Sequence, residues 1–125
     1  MDNRCEKGWF VEPTVVEGLS VDSQLNKDEI FGPIVTLQTF SSEKEAIKLA
    51  NKTKYGLSAT IWSEDTLKAR RVAKKIDSGV IWINCWLVRD LRTPFGGLKQ
   101  SGLGKEGGED VLRFFTEQKN ICIQV

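Results

Sequence analysis

Between residues 34 and 84 the hydrophobic pattern switches back and forth between two periods, and that alternation limits the fold more than any other feature. Ile34 to Phe40 sets Val35, Leu37 and Thr39 against Ile34, Thr36 and Phe40, the two-residue period of a strand. Ser42 then opens a helix. Glu45 lies three residues on, forming a capping box in which each side chain satisfies an otherwise unpaired backbone N–H. Ala46, Ile47, Leu49 and Ala50 form its apolar stripe, and Gly56 can supply a left-handed stop. Leu57 to Trp62 reads as a second strand. Ser63 or Asp65 can cap a second helix, in which Ala69, Val72, Ala73 and Ile76 face inward. Arg70, Arg71, Lys74 and Lys75 occupy the solvated side, near the negative end of the helix dipole. Gly79 ends that helix, and Val80 to Asn84 is a third strand. Strand–helix–strand–helix–strand predicts an α/β layer with parallel strands and right-handed crossovers.

The flanks are less regular. Residues 8–16 read as an extended piece, and Pro13 assigns it to an edge or a loop. Residues 20–33 are polar with few apolar points and end at Gly32-Pro33. A glycine-rich stretch runs from Gly96 to Gly108. A short helix follows, from about Asp110 to Glu117, with Val111, Leu112, Phe114 and Phe115. Asn120 to Val125 is a terminal strand with Ile121, Ile123 and Val125 on one face; it needs a partner sheet, which another subunit can supply.

Composition narrows the chemistry. The length of 125 residues fits one small domain with a modest core. Eighteen basic and 17 acidic residues leave a net charge of +1, giving no electrostatic case for nucleic acid or an anionic membrane. No apolar run is long enough to span a bilayer. The start, Met1 to Gly8, lacks the apolar core of a signal peptide, so a cytoplasmic setting is expected. Cys5, Cys85 and Cys122 are odd in number and widely spaced, unlike a disulfide framework or a metal-ligand set. There is no histidine, which removes Ser-His-Asp and Cys-His nucleophile systems and most zinc sites.

Three stretches are candidate sites. Gly102-Leu103-Gly104-Lys105-Glu106-Gly107 matches G-x-G-x-x-G, but a Gly/Pro-rich loop precedes it where a dinucleotide-binding turn needs a buried strand. A loop needing positive φ and close backbone approach is the plainer reading. Glu29 and Phe31 stand two apart beside the rigid Gly32-Pro33 turn. In extended backbone they point the same way, an acid for ribose hydroxyls and a ring for a flat group, or else a surface acid beside a core phenylalanine. Asn84 to Arg92 follows a strand end, where α/β proteins place ligands. Either Arg89 or Arg92 can grip a carboxylate bidentately, unless Asp90 pairs with one of them locally. Cys85 has no neighbouring base and reads as a strand-end thiol.

Taken in order, several pieces resemble the aldehyde dehydrogenase superfamily from about Gly8 to Val125. They are Gly8-Trp9-Phe10-Val11-Glu12-Pro13-Thr14, Glu29-Ile30-Phe31-Gly32-Pro33, Ala50-Asn51 with Tyr55-Gly56-Leu57, Gly79-Val80 with Asn84, and Pro94-Phe95-Gly96-Gly97-Leu98-Lys99 through Ser101-Gly102 and Gly104 to Glu106-Gly107. Trp86 to Arg92 and Asn120 to Ile123 look most like the hydroxymuconic and aminomuconic semialdehyde dehydrogenases, which act on acidic semialdehydes.

The resemblance implies a three-layer parallel-sheet segment of the family's catalytic domain over residues 1–119, and an oligomerisation strand over 120–125. It makes Glu29 the carboxylate on the cofactor ribose and Phe31 the ring near the nicotinamide of NAD or NADP. It puts Arg89, Arg92 and Phe95 on the substrate-pocket loop and implies a homo-oligomer. The family's catalytic cysteine (Gly-Gln-x-Cys), its glutamate before Gly-Gly-Lys and its oxyanion-holding asparagine have no counterpart here, nor has its dinucleotide-binding domain. The chain by itself is therefore expected to carry no catalytic residue and no activity. The alternative is a non-catalytic remnant that self-associates or docks on a complementing aldehyde dehydrogenase chain.

Overall fold

The protein is described by a computed structural model covering residues 5–125. Met1 to Arg4, the head of the polar start and of the expected 1–119 segment, lie outside the described residues. The chain forms two compact units, which divide between Thr53 and Lys54.

The first unit holds β1 (Thr14–Val16), α1 (Gln24–Lys27), β2 (Ile34–Thr36) and α2 (Glu43–Ala50). β1 and β2 pair in parallel, Thr14 opposite Ile34 and Val16 opposite Thr36. Pro13 stops just short of this ladder, where its missing N–H costs nothing. The Thr14 N–H donates to Pro33 O at 2.8 Å and Leu37 N–H to Val16 O at 2.8 Å, closing both ends. β2 is thus shorter than the expected Ile34–Phe40. α1 was not expected; it sits in the polar stretch, held by Ser20 O, which accepts from Ser23 N–H and the Asn26 amide. Asp22 gathers the ammonium groups of Lys27 (3.2 Å) and Lys52 (2.9 Å), and these bonds hold its carboxyl below the usual carboxylate range.

α2 starts as the capping box predicts on one side: Ser42 Oγ accepts from Glu45 N–H at 3.2 Å. The return bond is displaced by one residue, since Glu45 Oε2 accepts from Ser41 N–H at 2.8 Å. The helix ends on Asn51 in the right-handed region, its N–H bonded to Ile47 O. The expected stop at Gly56 is therefore wrong.

The second unit holds β3 (Tyr55–Gly56), β4 (Ser58–Ile61), α3 (Thr66–Ala73), β5 (Val80–Ile83), β6 (Leu98–Lys99) and α4 (Gly108–Phe115). β4, α3 and β5 form a βαβ unit with parallel strands, Ser58 opposite Val80 through Ile61 opposite Ile83. Of the two caps read for α3, Asp65 takes the role: its Oδ1 accepts from Lys68 N–H at 2.9 Å. α3 packs on β5, and Ala69 and Trp82 are the buried hydrophobic side chains among the described residues. Gly79 does not stop this helix, which ends at Ala73 with Lys74 as its cap. Gly79 instead lies so close to the glycine-rich loop that an added Cβ would fall 1.7 Å from Gly96 O. Gly56, on β3, is likewise hemmed in, its imagined Cβ 2.5 Å from Asp77 O.

β3 pairs antiparallel with β6, Tyr55 opposite Lys99 and Gly56 opposite Leu98. α4 begins two residues earlier than expected, after Gly107 at φ 86°.

The class read from the sequence, α/β with parallel strands, is what the structure has within each unit. β2 pairs with β1 in the first unit, whereas β4 and β5 pair in the second. Residues 116–125 form neither helix nor strand, and Ile121, Ile123 and Val125 are exposed.

Candidate functional site

The loop after β5 is shaped by three local devices. Asn84, at φ 53°, turns the chain out of the strand. Its amide replaces the next rungs of the ladder, Oδ1 accepting from Ser63 N–H and Nδ2 donating to Ser63 O, each at 2.8 Å. Trp82 Nε1 donates to Val88 O at 2.8 Å, which draws the far side of the loop back onto the strand. Asp90 then organises a turn: its carbonyl accepts from the Thr93 N–H (3.0 Å) and hydroxyl (2.7 Å).

The two arginines are held differently. Arg92 folds back on Asp90. Its Nε lies 2.9 and 3.1 Å from the two carboxylate oxygens, and Nη2 lies 2.6 Å from Oδ2. The Arg92 side chain and its backbone N–H hold the Asp90 carboxyl below its ordinary range, and Asp90 in turn raises the guanidinium pKa. The local pairing considered from the sequence is thus real for Arg92. Arg89 reaches across to another strand of the loop. Its guanidinium sits 4.2 Å from the centroid of the Phe95 ring, and Nη2 donates to Glu106 Oε1 at 2.7 Å. Phe95 and Glu106 are themselves joined by two backbone bonds, Phe95 N–H to Glu106 O (2.7 Å) and the reverse (2.8 Å). Arg89, Phe95 and Glu106 therefore form one cluster, with Arg92 outside it.

The glycine motif serves this hairpin. Gly102, Gly104 and Gly107 all have positive φ. At Gly104 a side chain would strike the Phe114 ring at 2.5 Å. The Lys105 ammonium donates to Gly96 O (2.9 Å) and Gly97 O (2.5 Å), so backbone carbonyls already claim it. The stretch borders a cavity of about 230 Å³ with Leu57, Leu103, Phe114 and Phe115 in its wall. This geometry fits the plain reading of close backbone approach better than a phosphate cradle.

Glu29 and Phe31 belong to the first unit, on the exposed segment between α1 and β2. Gly32 N–H donates to Ile30 O (2.9 Å) and Ile34 N–H to Gly32 O (2.8 Å), a tight turn that leads straight into β2. Phe31 is 95% exposed, which sets aside the core-phenylalanine reading. Glu29 is exposed and makes no hydrogen bond or ion pair with the described residues. Cys85 is a half-buried free thiol just past β5, and Cys5 and Cys122 are free as well. Among the described residues no group of three or more acidic or cysteine side chains is placed to hold a metal ion.

Sequence reasoning missed Glu106 as a partner of Arg89, and Trp82 as the pin of the loop. Only the adjacent lysine and glutamate inside the glycine motif hinted that the return strand carried charge for a purpose.

The second strand of the β4–α3–β5 unit opens into the loop that carries Arg89 and Arg92. The family model described as the aldehyde dehydrogenase family matches residues 1–121, and the chain belongs to that family. It is 52% identical over 118 residues to the 2-hydroxymuconic semialdehyde dehydrogenase of Pseudomonas putida, covering 94% of this chain and 24% of that protein. It is 50% identical over 117 residues to the 2-aminomuconic semialdehyde dehydrogenase of Danio rerio, again 94% and 24%. A solved betaine aldehyde dehydrogenase of Staphylococcus aureus, in complex with NAD+, superposes with a TM-score of 0.87 at 40% identity, over 91% of this chain and 23% of that one. The chain thus spans about a quarter of the length of the relatives it matches.

Proposed function

We propose that these residues serve an NAD(P)-dependent aldehyde dehydrogenase that converts an acidic semialdehyde to a carboxylic acid. The net reaction takes an aldehyde, water and the oxidised cofactor to a carboxylate, the reduced cofactor and two protons. The observation that carries the reading is the Arg89 guanidinium, laid over Phe95 on the loop at the end of β5. Its pair with Glu106 uses Nη2 alone, which leaves other N–H donors of the fork for a substrate carboxylate. Arg92 spends Nε and Nη2 on Asp90. Arg89 is accordingly the residue that reads the acid group, with Phe95 as its platform. The names of the semialdehyde dehydrogenases that share half of this sequence point the same way.

The cofactor, when bound, supplies the hydride acceptor. In this reading Glu29 accepts hydrogen bonds from its ribose and Phe31 covers its ring; the exposure of both side chains supports it. NAD is favoured over NADP by the NAD+ found with the structurally similar enzymes. None of the family's nucleophile, base and oxyanion motifs occurs in the 125 residues, so this chain by itself is expected not to turn over, and the cofactor belongs to the intact enzyme. The setting is cytoplasmic, and residues 120–125 pair between subunits of a homo-oligomer.

Calorimetric titration of the 125-residue chain with NAD tests the site. Saturable binding that Glu29→Ala removes would mean a preformed half-site, and no binding would mean that Glu29 and Phe31 are an orphaned half-site; binding unchanged in that variant would sink the assignment. NAD with a muconic semialdehyde should yield no NADH, and appreciable turnover would refute the absence of catalysis.

A second reading has its own observation. Leu112, Phe114 and Phe115 on α4 are exposed, as are Ile121, Ile123 and Val125. Apolar surface of that kind suits a purely associative role, self-assembly or docking to a full-length relative.

A further inference from the structure

Glu106 is the side chain that the hairpin brings to Arg89. Its backbone is locked to Phe95 by two hydrogen bonds of 2.7 and 2.8 Å. Next to it, Lys105 clamps the opposite arm through Gly96 O and Gly97 O. From this fixed base the Glu106 carboxylate reaches Arg89 Nη2 at 2.7 Å, while the Arg89 guanidinium lies over the Phe95 ring. The Arg89 side chain is 38% exposed, so it is neither sealed in the interior nor free in solvent. An arginine on a loop samples many rotamers, and ordering one costs conformational entropy. Here a carboxylate at one end and a ring beneath restrict the guanidinium before any ligand arrives.

We propose that Glu106 is a positioning residue for recognition of the substrate carboxylate: it holds Arg89 flat on Phe95 with the rest of its fork turned to the ligand. The inference rests on the reading of Arg89 as the acid-binding residue. Its content is separate, namely that the pose of Arg89 depends on a side chain 17 positions away that never touches substrate.

The test uses nitrogen-15 NMR of the arginine side chains in the 125-residue chain, with muconate dianion as the carboxylate probe. In the parent chain the Arg89 side-chain N–H signal should be displaced by the Phe95 ring, and Phe95→Leu should abolish that displacement. Glu106→Ala should move the signal to that of a solvated arginine and weaken muconate binding about tenfold, the scale of one charge-assisted hydrogen bond. Glu106→Gln retains an acceptor at the same reach and should restore most of the displacement, a rescue that a general loss of folding would not give. An Arg89 signal unmoved by both Glu106 substitutions overturns the proposal, as does tighter muconate binding in Glu106→Ala, which would make Glu106 a competitor of the ligand. If the Glu106 substitutions move the Arg89 signal but the parent chain does not bind muconate, the acid-binding reading of Arg89 fails, and the recognition role built on it fails with it. The ordering of Arg89 by Glu106 would still have been measured separately.

Discussion

Asp90 shows how far a single carboxylate on an open loop can set local geometry. It accepts from the Arg92 side chain and backbone, and its carbonyl holds Thr93. Because its carboxyl is held below its ordinary value of 3.8, the turn is fully supported above that value. Support is lost only as pH falls through the lower, folded-state value. Carbon-13 NMR of the Asp90 carboxyl should therefore give a midpoint below 3.8, and Arg92→Ala should return it towards 3.8. A midpoint unaffected by Arg92→Ala would mean that the pairing does not persist in solution. Gly79 is a second residue with an outsized effect. A methyl there has Gly96 O at 1.7 Å, so backbone must move. Gly79→Ala should destabilise the second unit by about 1–3 kcal/mol, the usual cost of overpacking, as read by urea unfolding. An unchanged midpoint would show that the two segments are not in contact.

Among the elements, the starts of α2 and α3 were the most legible in the sequence, because side-chain capping is settled within four residues. Ser42 and Asp65 both cap as their spacing allows. Asp65→Ala should cost about 1 kcal/mol, with Asp65→Asn close to the parent. Equal losses in the two variants would argue against the cap. Strand pairing was less legible, since it is decided by which distant segment arrives. The Thr14–Val16 strand, read as an edge or loop piece, is an edge strand, but its partner β2 could not be named from the sequence. Gly56 and Gly79 were misread for the same reason. A glycine after a helix suggests a stop, but these two are needed where another backbone comes near. In the site, Arg89 could be named from the loop and Phe95 from the family resemblance, but Glu106 could not. The hairpin that returns it to Arg89 depends on the Phe95–Glu106 bridge, which no local period announces.

On the scale of the molecule, the two units share a trait: little of either is fully buried. Large apolar side chains such as Leu37, Phe40, Trp62 and Phe115 are exposed. A chain spanning a quarter of its relatives' length, with this much apolar surface, is suited to packing against further structure. Deleting residues 120–125 should lower the mass of any assembly seen by analytical ultracentrifugation; an unchanged mass would show that the tail does not join subunits. No helix among the described residues is long and apolar enough to cross a membrane, so these surfaces are not spans of that kind.

Of the four tryptophans, Trp9, Trp62 and Trp86 are exposed, while Trp82 is 7% exposed and donates its indole N–H to Val88. Acrylamide should therefore quench three of them readily and leave a residual, blue-shifted emission from one. That residual light comes from the ring that holds the arginine loop against its strand. Any loosening of the loop from its strand thus has an optical reporter already wired into the chain, with no label required.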